Sequence, residues 1–243
     1  MKSTIVTIGV FDGVHLGHQM LVRQVVERAL ALGLSSLAVT FDPLPEQVLF
    51  PERKLTYLTR ADERERYLYE LGVDDVWTCP FTHDLARLEP EEFMRVVMER
   101  RPLAELWVGF DFALGRGRSG TLSVLSEIGV AAGWALHMVP PLRYEGQIVS
   151  STAIRTLLAA GAVRGAADLL GRTYTVPGEF TANGEVCVDP DRALPRAGLR
   201  YISQVGDHEV TATVLPEPGR IQLQPALAFA PGPTTVAFLR RTD

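Results

Sequence analysis

Five short apolar runs, at residues 4–8, 36–41, 75–79, 105–110 and 135–139, alternate with stretches of helical apolar spacing. Runs rich in Val, Ile and Leu that do not alternate with polar residues suit strands buried on both faces, as in a parallel sheet. Parallel neighbours need crossovers, and a helix packed back on the sheet in the right-handed sense is the usual one. The spacing predicts helices at 19–32, closed by Gly33, at 60–71, ended by Gly72, and at 90–100, where Pro90 opens the first turn and Glu91 and Glu92 suit the positive end of the dipole. The first part of the chain is therefore expected to be α/β with a parallel sheet, with any ligand at the carboxyl ends of the strands.

The character changes after Gly171. Pro and Gly become frequent, and short alternating runs appear at 174–180, 199–205, 209–215, 220–223 and 234–239. These predict a small antiparallel, barrel-like β domain, with domains at 1–171 and 172–243. A chain of 243 residues that is 47% hydrophobic has ample apolar material for two cores. The net charge of −5 argues against a nucleic-acid partner, which needs a concentrated basic surface, while leaving room for small anions met by local groups. No apolar run approaches the roughly 18 residues of a membrane span, and Met1-Lys2-Ser3 runs into a strand without a secretory apolar segment. The expectation is a cytoplasmic protein with no membrane partner, whose Cys79 and Cys187 are ordinary reduced thiols.

Chemistry concentrates at the turns leaving the strands. Gly9-Val10-Phe11-Asp12-Gly13-Val14-His15-Leu16-Gly17-His18 joins the first strand to the first helix. Free N–H groups and the helix dipole favour an anion there, and Gly13 and Gly17 let backbone approach it. His15 and His18, three apart, share one face of the first turn and add imidazole donors. A surface pair is the plain alternative; a zinc pair would call for further ligands, and the other histidines are only His83, His137 and His208. Thr40-Phe41-Asp42-Pro43-Leu44-Pro45 is either a rigid turn or a ligand wall. Val108 to Gly120 runs from a strand into a glycine-rich loop with Arg116 and Arg118, and lacks the GK[ST] of a P-loop. Ser150-Ser151-Thr152-Ala153-Ile154-Arg155 opens a helix: its hydroxyls read first as N-caps, and Arg155, one turn in, adds a cation suited to a triphosphate tail. The two anion sites are expected to face each other across one sheet edge, with a nucleotide spanning them.

FDGVHLGH, TFDPLP, VGFDFALGRGRSG, SSTAIR and LGRTY, in that order over roughly residues 4–176, resemble the prokaryotic bifunctional FAD synthetases, which join riboflavin kinase to FMN adenylyltransferase. The resemblance implies a Rossmann-like nucleotidylyltransferase domain of HxGH type that transfers AMP from ATP to FMN with magnesium, giving FAD and pyrophosphate. It implies that His15 and His18 meet the ATP phosphates and the transition state, and that Ser150, Ser151, Thr152 and Arg155 hold the pyrophosphate end. Asp111 matches an acidic nucleotide-side position; Gly9, Phe11, Asp12, Gly13 and Gly17 shape the nucleotide wall, and Phe41, Pro43 and Pro45 the flavin side. Leu44 stands where the family usually has histidine, and Phe110 where an acidic or polar residue often precedes Asp111.

The β domain departs further. A family kinase barrel carries GRxxGFPTAN after its first strand and a later Glu as base, whereas here Thr181-Ala182-Asn183, expected within the first strand, lacks the preceding GRxxGFP. Ile221-Gln222-Leu223-Gln224 occupies the stretch of the base, and Thr235 to Arg241 resembles the last strand before the family's terminal helix, which is expected to be missing. The expectation is an FMN adenylyltransferase whose kinase-like barrel is inactive. Two other readings stay open: a non-catalytic flavin- or nucleotide-binding regulator on the same scaffold, and adenylyl transfer to a different small phosphorylated acceptor.

Overall fold

In a computed structural model, which describes residues 3–225 and 230–242, the five expected strands form one parallel sheet. They are β1 (Thr4–Ile8), β2 (Ser35–Asp42), β3 (Asp75–Pro80), β4 (Leu103–Gly109) and β5 (Ala135–Val139), in the order β3-β2-β1-β4-β5. Helices α1 (Leu16–Leu32), α2 (Pro45–Leu49), α3 (Ala61–Glu70), α4 (His83–Arg87), α5 (Pro90–Arg100) and α6 (Leu122–Ala132) fill the crossovers and loops. Side chains of a strand alternate between faces, so β1 feeds two cores. Val6 and Ile8 join Leu37, Val39, Phe93, Met94, Val97 and Leu125 on one side; Ile5 joins Leu21, Val22, Val25, Ala38 and Leu68 on the other. Burial on both faces is why these strands read as unbroken apolar runs. The order in which successive strands are added reverses between β1 and β4, the switch point where open parallel sheets of this kind leave a crevice at the strands' carboxyl ends.

The chain divides into two compact units: residues up to Leu55 with Arg60–Arg143, and Thr56–Thr59 with residues from Tyr144 on. The second unit opens with a hairpin of β6 (Arg143–Tyr144) and β7 (Gln147–Ile148), followed by α7 (Ser151–Ala159) and α8 (Val163–Leu170). Strands β8 (Tyr174–Phe180), β9 (Glu185–Cys187), β10 (Arg200–Val205), β11 (His208–Val214), β12 (Arg220–Gln224) and β13 (Gly232–Arg241) then close an antiparallel barrel, ordered β10-β11-β12-β9-β8-β13. Strictly alternating burial in β10 and β11 lines its core with Tyr201, Val205, Val210, Ala212 and Val214. Residues 56–59 belong here because Tyr57 pairs with the barrel loop, donating its N–H to the Asp191 carbonyl at 2.9 Å and accepting from the Ala193 N–H at 2.8 Å.

The architecture thus changes between Leu170 and Tyr174, while the division into units falls at Arg143, placing α7 and α8 with the barrel. Strand β9 has no counterpart among the predicted runs, since three residues are too few to show a period. Thr181-Ala182-Asn183 is not part of the first barrel strand; it forms the β8–β9 turn, where Thr181 N–H donates to Glu185 O and Gly184 N–H to Thr181 O.

Candidate functional site

The turn leaving β1 is held from several sides. Gly9 N–H donates to Val39 O at 3.0 Å, and Thr40 Oγ1 donates to Val10 O at 3.0 Å, tying the turn to β2. A Cβ on Gly9 would lie 2.9 Å from the tip of the Phe11 ring, so a side chain there would displace that ring from its present place. Phe11, Gly13 and Val14 all have positive φ, at 50, 81 and 37°. Glycine adopts this region freely, whereas Phe11 and Val14 are strained by about 1–2 kcal/mol each. Burial holds them there, both being 1% exposed, and Val14 N–H closes the turn onto Phe11 O at 2.9 Å.

Helix α1 therefore begins at Leu16, earlier than the apolar spacing indicates, with His15 as its N-cap. His15 Nδ1 accepts the His18 N–H at 3.3 Å. In a neutral ring this leaves the proton on Nε2, so the cap fixes the tautomer and makes Nε2–H a donor. The two imidazoles stack with centroids 3.6 Å apart and planes 16° from parallel, and Phe11 meets His18 edge-on at 5.2 Å. Burial, followed by the nearby His15, holds His18 well below the ordinary histidine value of 6.5. Its Nδ1 is buried with no hydrogen-bond partner, so the ring's remaining exposure lies on other atoms. The result is a preorganised pair of rings at a helix N-terminus, with His18 held neutral, able to donate hydrogen bonds to an anion.

Against the end of β2 lies a charge absent from the candidates drawn from the sequence. Arg64, on α3, is 1% exposed, donates Nη2–H to Phe41 O at 2.7 Å, and lies 3.6 Å from Asp42 Oδ1. Burial pulls its pKa down, and the charges of Asp12, Asp42 and Glu63 oppose that shift. Asp12 is itself 1% exposed. The available signal was Arg64 four residues before the core residue Leu68, a cation on the apolar stripe of its helix.

The structure collects Gly9, Phe11, Asp12, Gly13, His15, Gly17 and His18 on this one turn and in the first turn of α1. Phe41, assigned to the flavin side, instead packs in the core against Phe81 and Phe93, because its strand position faces the apolar layer. Pro43 is exposed and Pro45, half-buried, opens α2. Asp111 is exposed just beyond β4, and its carbonyl accepts from Arg118 Nη2 at 2.8 Å. The glycines of that loop serve packing: a Cβ on Gly115 or Gly120 would come within about 3 Å of Pro90. Ser150, Ser151, Thr152 and Arg155 belong to the other compact unit. There Ser150 is the N-cap of α7, its Oγ accepting the Ala153 N–H at 3.2 Å, and Arg155 is half-buried one turn on. Among the described residues no three His, Cys, Asp or Glu side chains are grouped to hold a metal ion. Magnesium, which usually binds one or two carboxylates together with substrate phosphates, therefore has no self-contained protein cage here.

A family model described as FAD synthetase matches residues 1–153. A bifunctional riboflavin kinase/FMN adenylyltransferase from Pseudomonas fluorescens is 35% identical over 178 residues, covering 73% of this chain and 57% of that protein. Its namesake from Listeria monocytogenes is 31% identical over 211 residues, covering 81% and 66%. The chain thus spans less than two thirds of the length of these relatives. A crystal structure of a protein from Streptococcus pneumoniae, described as a macrolide-efflux protein, superposes with a TM-score of 0.85 at 24% identity, covering 100% of this chain and 94% of that one. At that identity the likeness establishes the fold, sheet and barrel together.

Proposed function

The chain belongs to the FAD synthetase family, and from that premise we propose that it transfers AMP from ATP to FMN, yielding FAD and pyrophosphate. A phosphate oxygen of FMN attacks the α-phosphorus, the bond to the bridging oxygen breaks, and pyrophosphate leaves with that electron pair. The acceptor phosphate is ionised at neutral pH, since its second pKa is about 6, so no general base is needed and positioning carries the rate.

Each cluster has a part in this reading. Negative charge growing on the pentacovalent phosphorus meets His15 Nε2–H and the neutral His18 ring, which need little reorganisation because cap and stack already fix them. Ser151, Thr152 and Arg155, behind the Ser150 cap, take the pyrophosphate end. Phe11, Asp12, Gly13, Gly9 and Gly17 shape the nucleotide wall, Asp111 serves its sugar or base side, and Pro43 and Pro45 form the flavin wall with Phe41 supporting them from below. Magnesium arriving with ATP neutralises the triphosphate. The adenylyltransferase domain is assigned to 1–171 and the kinase-like domain to 172–243. A cytoplasmic setting fits this chemistry, and among the described residues no helix is long and apolar enough to cross a membrane.

The observation that carries the reading is the stacked pair of histidines, one capping the helix and the other held neutral, on a strained turn. The barrel is read as lacking kinase activity, because the GRxxGFP that precedes the family's TAN is absent and β12, Arg220–Gln224, carries no carboxylate base, although Thr181-Ala182-Asn183 follows the first barrel strand as it does in the family. Incubation with ATP, magnesium and FMN should give FAD and stoichiometric pyrophosphate, and incubation with riboflavin instead should give neither FMN nor FAD. Binding of ATP and FMN without pyrophosphate release would make the protein a sensor. Pyrophosphate release only with another phosphorylated acceptor would change the substrate, and FMN made from riboflavin would restore the kinase.

A further inference from the structure

The ladder between β1 and β2 ends at Ile8 and Val39, and Gly9 N–H closes it on the Val39 carbonyl at 3.0 Å. One side chain carries the tie a residue further. Thr40, the next residue of β2, donates its Oγ1–H to the Val10 carbonyl at 3.0 Å, across 30 positions of chain. Thr40 is 0% exposed and shares with Ala38 the face of the sheet that lies under α1, where Phe11 and Val14 are packed. Peptide units are planar, so fixing the direction of the Val10 carbonyl also fixes the Phe11 N–H on the far side of the same plane. That plane sets the φ of Phe11, which is 50°, in a region strained for any residue with a Cβ. Turning the plane over would carry Phe11 to about −130°, within the ordinary extended region. The strain released is of the same order as one hydrogen bond, so a single donor is enough to hold the plane. Held this way, the Phe11 ring stands edge-on to His18 with centroids 5.2 Å apart. A buried threonine commonly does no more than satisfy its hydroxyl on a nearby carbonyl of its own segment. Thr40 reaches instead to a turn beyond the neighbouring strand, at the residue before a strained one. Thr7 gives the contrast: it is also 0% exposed on this face, and its hydroxyl has no hydrogen-bond partner among the described residues.

We propose that Thr40 is a positioning residue: its hydroxyl holds the Val10–Phe11 peptide plane in the orientation that keeps the Phe11 ring against His18 and the histidine turn closed. Its effect on rate rests on the adenylyl-transfer reading. The hold on the peptide plane stands without that reading and is measured separately.

Thr40→Val keeps the branching and nearly the volume of the side chain and removes the donor. With the melting transition retained, kcat for FAD formation is expected to fall about tenfold, while KM for ATP and for FMN moves less than about threefold. Thr40→Ser, which returns the hydroxyl, should recover most of the loss. Two further measurements do not depend on turnover. Amide exchange at Val14, whose N–H closes the turn on Phe11 O, should accelerate in Thr40→Val and stay at the wild-type rate in Thr40→Ser. Nuclear Overhauser contacts between the Phe11 and His18 rings should weaken in the first variant and persist in the second. Thr7→Val makes the same chemical change on the same face and should leave rate, exchange and ring contacts at wild-type values. Wild-type exchange and ring contacts in Thr40→Val overturn the proposal whatever the enzyme's reaction. A rate loss in Thr7→Val as large as in Thr40→Val overturns it as well, because packing beneath α1 would then be the cause. Should Thr40→Val not fold, Thr40→Cys, of similar size and only a weak donor, decides by the same exchange and ring-contact measurements. If wild-type protein forms no FAD at all, the functional reading fails, and the exchange comparison still tests the hold on the turn.

Discussion

Two helices in this molecule are capped in the same way by different residues. Helix α1 is capped by His15, whose Nδ1 takes the His18 N–H at 3.3 Å; helix α7 is capped by Ser150, whose Oγ takes the Ala153 N–H at 3.2 Å. Serine is among the best N-caps, and histidine is not among the preferred ones. A sequence selected for helix stability alone would place serine at both. The α1 turn carries further costs that α7 does not: strained Phe11 and Val14 and the buried carboxyl of Asp12. The β8–β9 turn makes a similar contrast, meeting its need for a positive φ with Gly184, at 78°, and no strain. Where a local rule is broken several times in ten residues, folding alone does not account for the choice of residues, and the proposed role of the ring nitrogens is the reading that contrast can test.

The sharpest way to break that comparison is to make the two caps alike. His15→Ser supplies a better cap and removes the Nε2–H donor. Stability should hold or rise slightly, while FAD formation falls by about 10²- to 10³-fold, the usual loss for one transition-state donor. The same substitution at the exposed His83, the first residue of α4, should leave the rate unchanged. A His15→Ser protein of undiminished rate would reduce His15 to a cap. Melting curves and initial rates from one preparation give both quantities.

The next effect belongs to stability. A Cβ on Gly219, at φ +72°, would sit 2.4 Å from the Val188 carbonyl, a backbone atom that cannot rotate away. Gly219→Ala should destabilise the barrel by about 3 kcal/mol from strain and overpacking, with the rate of adenylyl transfer per folded molecule kept. At Gly9 the obstacle is the tip of the Phe11 ring, which can swing, so Gly9→Ala should cost little stability. It should lower the rate roughly tenfold instead, by moving the ring that meets the edge of His18. Exchanged outcomes at these two glycines would erase the distinction between a turn built for chemistry and one built for architecture.

Regular structure was legible in the chain because burial repeats. Strands β1 and β5 and helix α5 have the bounds their patterns indicate; β1 is buried at every position, whereas the edge strand β5 exposes Ala135 and Met138 and is read from its apolar composition. The HxGH and SSTAIR motifs were legible because glycines, prolines and hydroxyls mark turns by local chemistry. Partnership was not legible. Phe41 resembles a wall residue until the strand register turns it into the core, and Arg64 resembles solvent charge until the Phe41 carbonyl comes to it across 23 positions of chain. Strand β9, of three residues, is specified by neighbours on both sides rather than by its own pattern.

A pH dependence sharpens the contrast from the side of folding. His18 in the native protein lies well below 6.5, the value it regains on unfolding. At and above pH 6.5 both states hold the ring largely neutral and its contribution is constant. As pH falls below 6.5 the unfolded state takes up the proton first, so native stability declines until the depressed native value is reached. The slope attributable to one proton is at most about 1.4 kcal/mol per pH unit. Chemical denaturation of wild type and His18→Gln between about pH 5 and 7 should show that part of the slope only in the wild type. Equal slopes would mean that His18 protonates as readily in the folded protein as in the unfolded one.

The smallest effect probes the second cap. Ser150→Ala leaves the Ala153 N–H without its acceptor and should cost about 1 kcal/mol, seen as a modest drop in melting temperature. That loss alone does not separate a cap from a ligand-binding hydroxyl, and Ser150→Asp does. Aspartate caps as well as serine and suits the positive end of the dipole, so stability should return to the wild-type level. A triphosphate approaching the same N-terminus, however, meets a negative charge in place of a hydroxyl. KM for ATP should therefore rise several-fold in Ser150→Asp while the fold is at least as stable as wild type, and the rise should shrink with added salt as the repulsion is screened. An unchanged KM would mean that this end of α7 never meets the phosphate tail, leaving His15 and His18 as the sole phosphate-facing group in the reading and Ser150 as the simple cap that its residue type suggests.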